Sequence, residues 1–424
     1  MKIYQSAEEA SQILVRGKFD DPAKVAAVRE IVENVRKNGD AALFSYCKKF
    51  DASELSSATV KVSDEEFEDA YRQVDAAFLA SVRRAVKNVY EYHARNPMQA
   101  DIRTIQGRTT GYVVRPVRRA GIYVPGGTAP LSSSVLMGVL PAKAAGVKEI
   151  YAVTPAKEGK INPATVVAAK ECGVTALFKA GGAQAVAALA YGTESIPKVD
   201  VIAGPGNIFV TLAKKEVYGE VGIDMLAGPS EILIIADGSQ KEQYVAADVL
   251  SQAEHDRLSR ALVLTDDAEF AVRLAAEVER RLEALPRREI ARESLQNGGG
   301  IILVKDMAEA CSLANEIAPE HLEIAAVNAE VLLDRIDCAG AVFLGSYSPE
   351  PVGDYFAGPD HILPTGGTAK FFQVLNQDIF LRKMSVIRYE REALLEDGPN
   401  IVRLAESERL HAHAEAVRVR LEDK

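Results

Sequence analysis

The segment LSQAEHD, residues 250–256, sets Gln252 and His255 three positions apart. On a helix those positions share a face, so an amide and an imidazole would project together. Such a pair suits half of a metal site, and it is equally an idle polar face. Other histidines stand near carboxylates. His321 follows Glu320 in APEHLE, where Pro319 suits the first turn of a helix. His361 and Asp354 share the loop GDYFAGPDH, and His411 and His413 lie near Glu408 close to the C-terminus. Imidazole is the usual base near neutral pH and the commonest metal ligand. A carboxylate beside it adds a second acid–base group. Taken singly, each pattern is also that of a hydrogen-bonded structural histidine. His93, inside a helical stretch, reads as a solvated or half-buried helix residue.

Four cysteines, Cys47, Cys172, Cys311 and Cys338, form no CxxC pair and are spread along the chain. They read as structural thiols of a reducing compartment rather than a disulfide framework or a cysteine metal site. Cys172 falls at a predicted helix C-terminus, whereas a reactive thiolate prefers a helix N-terminus or a basic neighbour.

The elements that must position these groups change in texture along the chain. Residues 22–51 carry apolar residues at helical spacing, with a first helix ending near Asn38-Gly39, and 65–96 predict a second long helix. From about 121, short apolar runs alternate with helical patterns and glycines mark the junctions. GIYVPGG leads to SSSVLMGVLPAKAAG, EIYAVTP to NPATVVAAKECG, TALFKAGG to AQAVAALAYG, and VDVIAGPGN to IFVTLAKKEVYG. The rhythm resumes at EILIIAD and continues through RALVLTDD, GGGIILVKD and AGAVFLG. It is the pattern of parallel sheets wound with helices. Ligands of open sheets bind at the carboxyl ends of strands, where YVPGG, AGGAQ, AGPGN and AGPSE are expected. Glycine there lets the backbone approach a ligand, and helix starts offer NH groups to phosphate. No GxGxxG occurs, since GPGNIF breaks it at the last position, so spacing alone does not assign a dinucleotide.

The net charge of −10 argues against a broad nucleic-acid surface. The N-terminal residues show no apolar core of a secretory signal, and no run approaches the roughly 18 apolar residues of a membrane helix. The expectation is a soluble cytoplasmic protein of two to four domains.

Read together, GIYVPGGTAPLSSSVLM, GGAQAVAALAYGTESIPKVDVIAGPGN, DMLAGPSEILIIAD, LSQAEHD, APEHLEI, GDYFAGPDHILPTGGTAKF and LHAHAEAVR resemble the histidinol dehydrogenase family over nearly the whole chain. The resemblance implies NAD-dependent oxidation of L-histidinol to L-histidine through the aldehyde, ending histidine biosynthesis. It implies zinc held by Gln252, His255, Asp354 and His413. His411 is two residues from His413 and points about 200° away on a helix, so only one can serve. His413 is the one that matches the family's pattern. The resemblance assigns Glu320 to activating water and His321 to general base. Substrate contacts carried over are Ser230, His361 and Glu408 together with Gln252, His255, His321, Asp354 and His413. NAD contacts are Tyr123, Gln184 and Asn207.

The implied fold is α/β, with two doubly wound, incomplete Rossmann-like parallel-sheet domains plus helical N- and C-terminal extensions. The expected boundaries are an N-terminal helical arm at 1–21, a first α/β domain at 22–122 with 233–370, an NAD-side domain at 123–232, and a helical tail at 371–424. The resemblance also implies an intertwined homodimer whose tails complete each other's sites, with no nucleic-acid or membrane partner. Pro359-Asp360 before His361 is a local departure that leaves the shape of that loop open. Alternatives are an NAD-linked dehydrogenase of another amino alcohol, a zinc hydrolase with Glu320 activating water, and a binding protein that lost the chemistry. The loops YVPGG, GGAQ and GPGN weigh against the hydrolase, and the intact Glu320-His321 pair weighs against the binding protein.

Overall fold

The computed structural model describes residues 1–14, 21–95, 97–126 and 131–422. They fall into two compact units, one of 1–95 with 118–380 and one of 96–117 with 381–424. The first holds two parallel sheets. In the larger, six strands run in the order Ile3–Tyr4, Gly299–Leu303, Arg260–Thr265, Glu231–Ala236, His321–Ala325, Ala341–Leu344. In the smaller, five run Ala176–Phe178, Glu149–Val153, Arg119–Tyr123, Val201–Ala203, Gly222–Ile223.

The continuous apolar strands follow from helices on both faces. Along Glu231–Ala236 every residue is buried. Ile232 and Ile234 join one core cluster while Leu233 and Ile235 join the other, as alternation across a pleated sheet requires.

Residues 22–51 form the helix Pro22–Asp51, started by the Asp21 side chain on the Ala23 NH and broken at Gly39 (φ +51°). The Glu194 carboxylate occupies the place of a Cβ there, 2.4 Å from its ideal position, and accepts the Asp40 NH at 2.7 Å. The predicted Asn38-Gly39 break is therefore a kink held from outside. The expected single helix over 65–96 is two, Asp64–Gln73 and Ala76–Ala94. Val74 is extended, and Asp75 caps the second helix by accepting the Phe78 NH at 2.6 Å.

Three expectations differ from the packing. The helix Pro22–Asp51 shares a core with Gly182–Tyr191, beside the five-stranded sheet, rather than joining residues 233–370. Apolar periodicity shows that a helix has a buried face, not which partner covers it. The N-terminal segment opens with a strand, Ile3–Tyr4, that pairs with Ile301 and Ile302 before the short helix Ser11–Leu14; residues 15–20 of the expected arm lie outside the described residues. The tail is not wholly helical: Leu381–Tyr389 is a strand.

That strand belongs to the second unit, where it pairs antiparallel with Arg108–Pro116, which pairs with Asp101–Ile105. Its arginines, lysine and serine hid it from a hydrophobic reading, because this sheet buries little. Two helices follow, Arg391–Ser407 and His411–Leu421. Arg108 ties the sheet to the first of them with two bonds to Asp397, at 2.7 and 2.8 Å.

Candidate active site

Glu320, His321, His255 and Asp354 gather at the amino edge of the six-stranded sheet. The helix Met307–Ile317 ends on Ala318 in the left-handed region (φ +48°), and the chain turns through Pro319 into the strand His321–Ala325. APEHLE is thus a strand entry and not the first turn of a helix. Both backbone groups of Glu231, at the amino end of the neighbouring strand, receive the pair. The Glu231 NH donates to Glu320 Oε2 at 2.8 Å, and its carbonyl meets His321 Nδ1 at 3.1 Å.

A carbonyl only accepts, so Nδ1 carries the hydrogen and Nε2 keeps its lone pair. Nε2 is buried and has no hydrogen-bond partner among the described residues. It lies 3.8 Å from Asp354 Oδ1 and 3.9 Å from Glu350 Oε1. Burial lowers the His321 pKa to about 4, opposed first by the Asp354 charge. The ring is neutral at pH 7. Burial pushes the Glu320 carboxyl well above the usual range, against the Glu231 NH that favours its anion.

The helix Glu242–Ala253 delivers the second pair at its C-terminal end, whose dipole favours a cation. His255 sits just past it, and its Nδ1 donates to the Ser251 carbonyl at 3.0 Å, leaving Nε2 free to ligate. Gln252 is fully buried and its Oε1 has no partner among the described residues. Asp354 comes from the short helix Glu350–Tyr355. His255, Glu350 and Asp354 offer ligand atoms that all lie within 4.8 Å of one another. A free amide oxygen, an imidazole with its outer nitrogen tied back, and carboxylates suit zinc.

Glu350 is the group the sequence reading missed. Its spacing of four from Asp354 puts both carboxylates on one helix face, which was the available signal. Ser251 Oγ donates to Glu350 Oε2 at 3.0 Å, and the Glu350 NH donates to Glu323 Oε1 at 2.9 Å. Burial raises the pKa of both Glu350 and Asp354. His361 lies within electrostatic reach of Asp354, Glu350 and His321, and its Nε2 is buried without a partner among the described residues. AGPSE links the two sheets, following the strand Gly222–Ile223 and leading into Glu231–Ala236; Ser230, half-buried just before the latter, accepts the Arg260 NH through its carbonyl at 3.0 Å.

The NAD-side candidates lie at or after carboxyl ends of the five-stranded sheet, and Tyr123 and Asn207 brace backbone there. Tyr123 OH accepts the Gly182 NH at 3.0 Å, and burial raises that phenol to about 12. Gln184 is buried, with Oε1 only 2.7 Å from where a Gly182 Cβ would stand. Asn207 Oδ1 caps the helix Ile208–Val217 through the Phe209 and Val210 NH groups, at 3.0 and 3.2 Å. A buried pair behind them was not foreseen. Lys214 Nζ donates to the Gly204 carbonyl at 3.0 Å, Asp224 Oδ2 accepts the Gly204 NH at 2.8 Å, and the two side chains form an ion pair. Gly204 (φ +121°) has no room for a Cβ, which would stand 2.1 Å from the Tyr123 carbonyl oxygen.

Glu408 and His413 belong to the second unit. They share an apolar groove between its two helices, lined also by Ile401, Leu404 and Val417. Both are exposed, as is His411. The thiols of Cys47, Cys172, Cys311 and Cys338 are unpaired, and burial raises Cys47 to about 12 and Cys172 further. His93 is buried rather than solvated.

A profile of the histidinol dehydrogenase family matches residues 14–421. The chain belongs to that family. It is 50% identical to the histidinol dehydrogenase of Carboxydothermus hydrogenoformans over 425 residues, covering all of both chains. It is 52% identical to that of Bacillus thuringiensis over 395 residues, 93% of this chain and 92% of the relative. The crystal structure of histidinol dehydrogenase from Elizabethkingia anophelis superimposes with a TM-score of 0.94 at 38% identity, covering all of this chain and 98% of that one. The chain is an oxidoreductase of the α/β class, and among the described residues no helix is long and apolar enough to cross a membrane.

Proposed function

We propose that the chain oxidises L-histidinol to L-histidine in two successive NAD-linked steps at the amino edge of the six-stranded sheet, in the cytoplasm. The observation that carries this reading is His321: its Nδ1 is pinned by the Glu231 carbonyl, and its Nε2 is a bare, buried base 3.8 Å from Asp354. Zinc on Gln252, His255, Asp354 and His413 would hold the substrate's imidazole and amine nitrogens and, as a dication, favour the ionised forms of nearby carboxyls. NAD, bound beside Tyr123, Gln184 and Asn207, would accept a hydride, two electrons with one proton, in each step.

His321 Nε2 takes the hydroxyl proton as the alcohol becomes aldehyde. Glu320 then takes a proton from the water that adds to the carbonyl. His321, once it has passed its first proton to solvent, removes the second hydroxyl proton as the hydrated aldehyde becomes acid. Glu320 and His321 flank one peptide unit and meet opposite backbone groups of Glu231, which lets two bases work on one carbon. Ser230, His361 and Glu408 orient the substrate, and the Glu231 carbonyl holds the imidazole of His321 through Nδ1.

The chain acts as a homodimer in which His413 and Glu408 complete the partner's site. Support comes from their exposure on one groove of the second unit. Mixing an inactive His413→Ala chain with an inactive Glu320→Gln chain restores part of the activity if sites are shared. No recovery after confirmed subunit exchange places each site within one chain.

The deciding experiment counts NADH formed per L-histidinol consumed by metal-loaded protein. Two, with histidine as product, supports the reading. One would mean that oxidation stops at the aldehyde, and none would direct the search to other amino alcohols.

A further inference from the structure

One buried titratable pair takes no part in these steps. His93, near the end of the helix Ala76–Ala94, and Asp360, the residue before His361, have side chains only 2% and 0% exposed. His93 Nε2 and Asp360 Oδ2 stand 3.8 Å apart, and neither has a hydrogen-bond partner among the described residues. The other carboxylate oxygen, Oδ1, accepts the Ile362 NH at 2.7 Å.

The same helix grips the loop at three more points. Asn88 Nδ2 donates to the Phe356 carbonyl at 2.9 Å, and the Arg84 guanidinium lies over the Phe356 ring at 5.2 Å. Gly358 (φ +115°) passes so close that a Cβ would lie 2.9 Å from Tyr92 Cβ. The loop runs from Asp354 to His361, so this helix sets where His361 stands.

We propose that His93 and Asp360 hold one proton between them and that this neutral pair positions His361 for the substrate. The positioning half rests on the reading of His361 given above. An unpaired charge would be costly at this depth, and a shared proton avoids it. The surroundings agree. Burial lowers His93 to about 4 and lifts Asp360 well above the carboxylate range. Asp224, already paired with Lys214, adds to the lift on Asp360, and the Tyr92 ring meets His93 edge-on at 5.1 Å.

The shared proton makes a signed prediction. Near pH 5.5 the folded pair holds one proton. The unfolded chain also holds one, on His93, because Asp360 is then ionised. The pair therefore adds nothing to proton uptake on unfolding. In Asp360→Asn the folded His93 stays neutral and accepts the new amide NH, so urea unfolding at pH 5.5 takes up about one proton more than wild type. In His93→Gln the folded Asp360 keeps its proton and the unfolded chain loses it, so uptake is about one proton fewer. Equal uptake in all three chains overturns the shared proton.

Positioning is read from the steady state. His93→Leu should raise KM for L-histidinol about tenfold with kcat within threefold, while Asp360→Asn keeps KM within twofold. A lower melting temperature with unchanged KM in His93→Leu would reduce the pair to a structural role. His361→Ala is the control. If it leaves KM unchanged, the assignment of His361 to the substrate fails, while the proton counts still decide the pair.

Discussion

The two parallel sheets carry their candidate groups at opposite edges. The five-stranded sheet carries glycines and helix starts at its carboxyl edge, where Tyr123 and Asn207 bond backbone NH groups. Gly204 has both its NH and its carbonyl held by a buried ion pair. The six-stranded sheet offers its amino edge, where Glu231 exposes a strand-end NH and carbonyl to Glu320 and His321. One edge is shaped by what is missing, a Cβ, and the other by titratable groups crowded into a dry place. The difference matches the two tasks proposed above: an extended cofactor needs backbone access, and proton transfer needs fixed bases with burial-tuned affinities.

Substitutions at the amino edge should strike kcat hardest. His321→Ala removes the base and should lower kcat by about 10²–10⁴-fold with native secondary structure, measured by steady-state kinetics and circular dichroism. A loss under tenfold would point to another base. The acid limb of the rate profile should follow the same group: His321 is base-competent above about 4 and loses that role as pH falls through it, so this limb should lie well below the ordinary histidine range near 6.5.

Glu320→Gln should slow the second oxidation by about 10²-fold more than the first, seen as aldehyde accumulating in single-turnover traces. Equal loss in both steps would undo its assignment to water. His255→Ala should lower bound zinc and activity together, measured by metal analysis; full occupancy would remove it from the ligand set.

At the carboxyl edge the expected effect is smaller and falls on the cofactor. Gly204→Ala forces a Cβ against the Tyr123 carbonyl oxygen, 2.1 Å away, in a positive-φ conformation. KM for NAD should rise about tenfold while KM for histidinol changes little; equal shifts would mean the two edges are not separate in function. Smallest is Asp75→Ala, remote from both edges. Loss of the cap should cost about 1 kcal/mol in denaturation and leave both KM values unchanged.

Much of this was legible in the residues. The alternation of apolar runs with helical spacing follows from burying both faces of a parallel sheet, and it marked the strands from Arg119 to Leu344. Gly39 and the glycine junctions announced their breaks. The spacing of Gln252 and His255 suggested a shared face, and the structure keeps them together although His255 lies just past the helix end. Less legible was the antiparallel sheet of the second unit, whose polar strands carry no burial signal. Glu350 was missed because a carboxylate in a Pro-rich loop looks solvated until Ser251 and Glu323 close over it.

The sequence by itself determined most strands and helices of the two parallel sheets, because periodicity and caps act over a few residues, and it determined the chemical types gathered near each loop. Only the tertiary structure decided which groups meet at each sheet edge, which nitrogen of His321 is bare, and that His93 meets Asp360. Those facts depend on groups far apart in the chain: Glu231 lies 90 residues from His321, and its carbonyl alone fixes the tautomer. Burial, which moves His321 and His93 to about 4, likewise belongs to the packed molecule and to no local stretch of it.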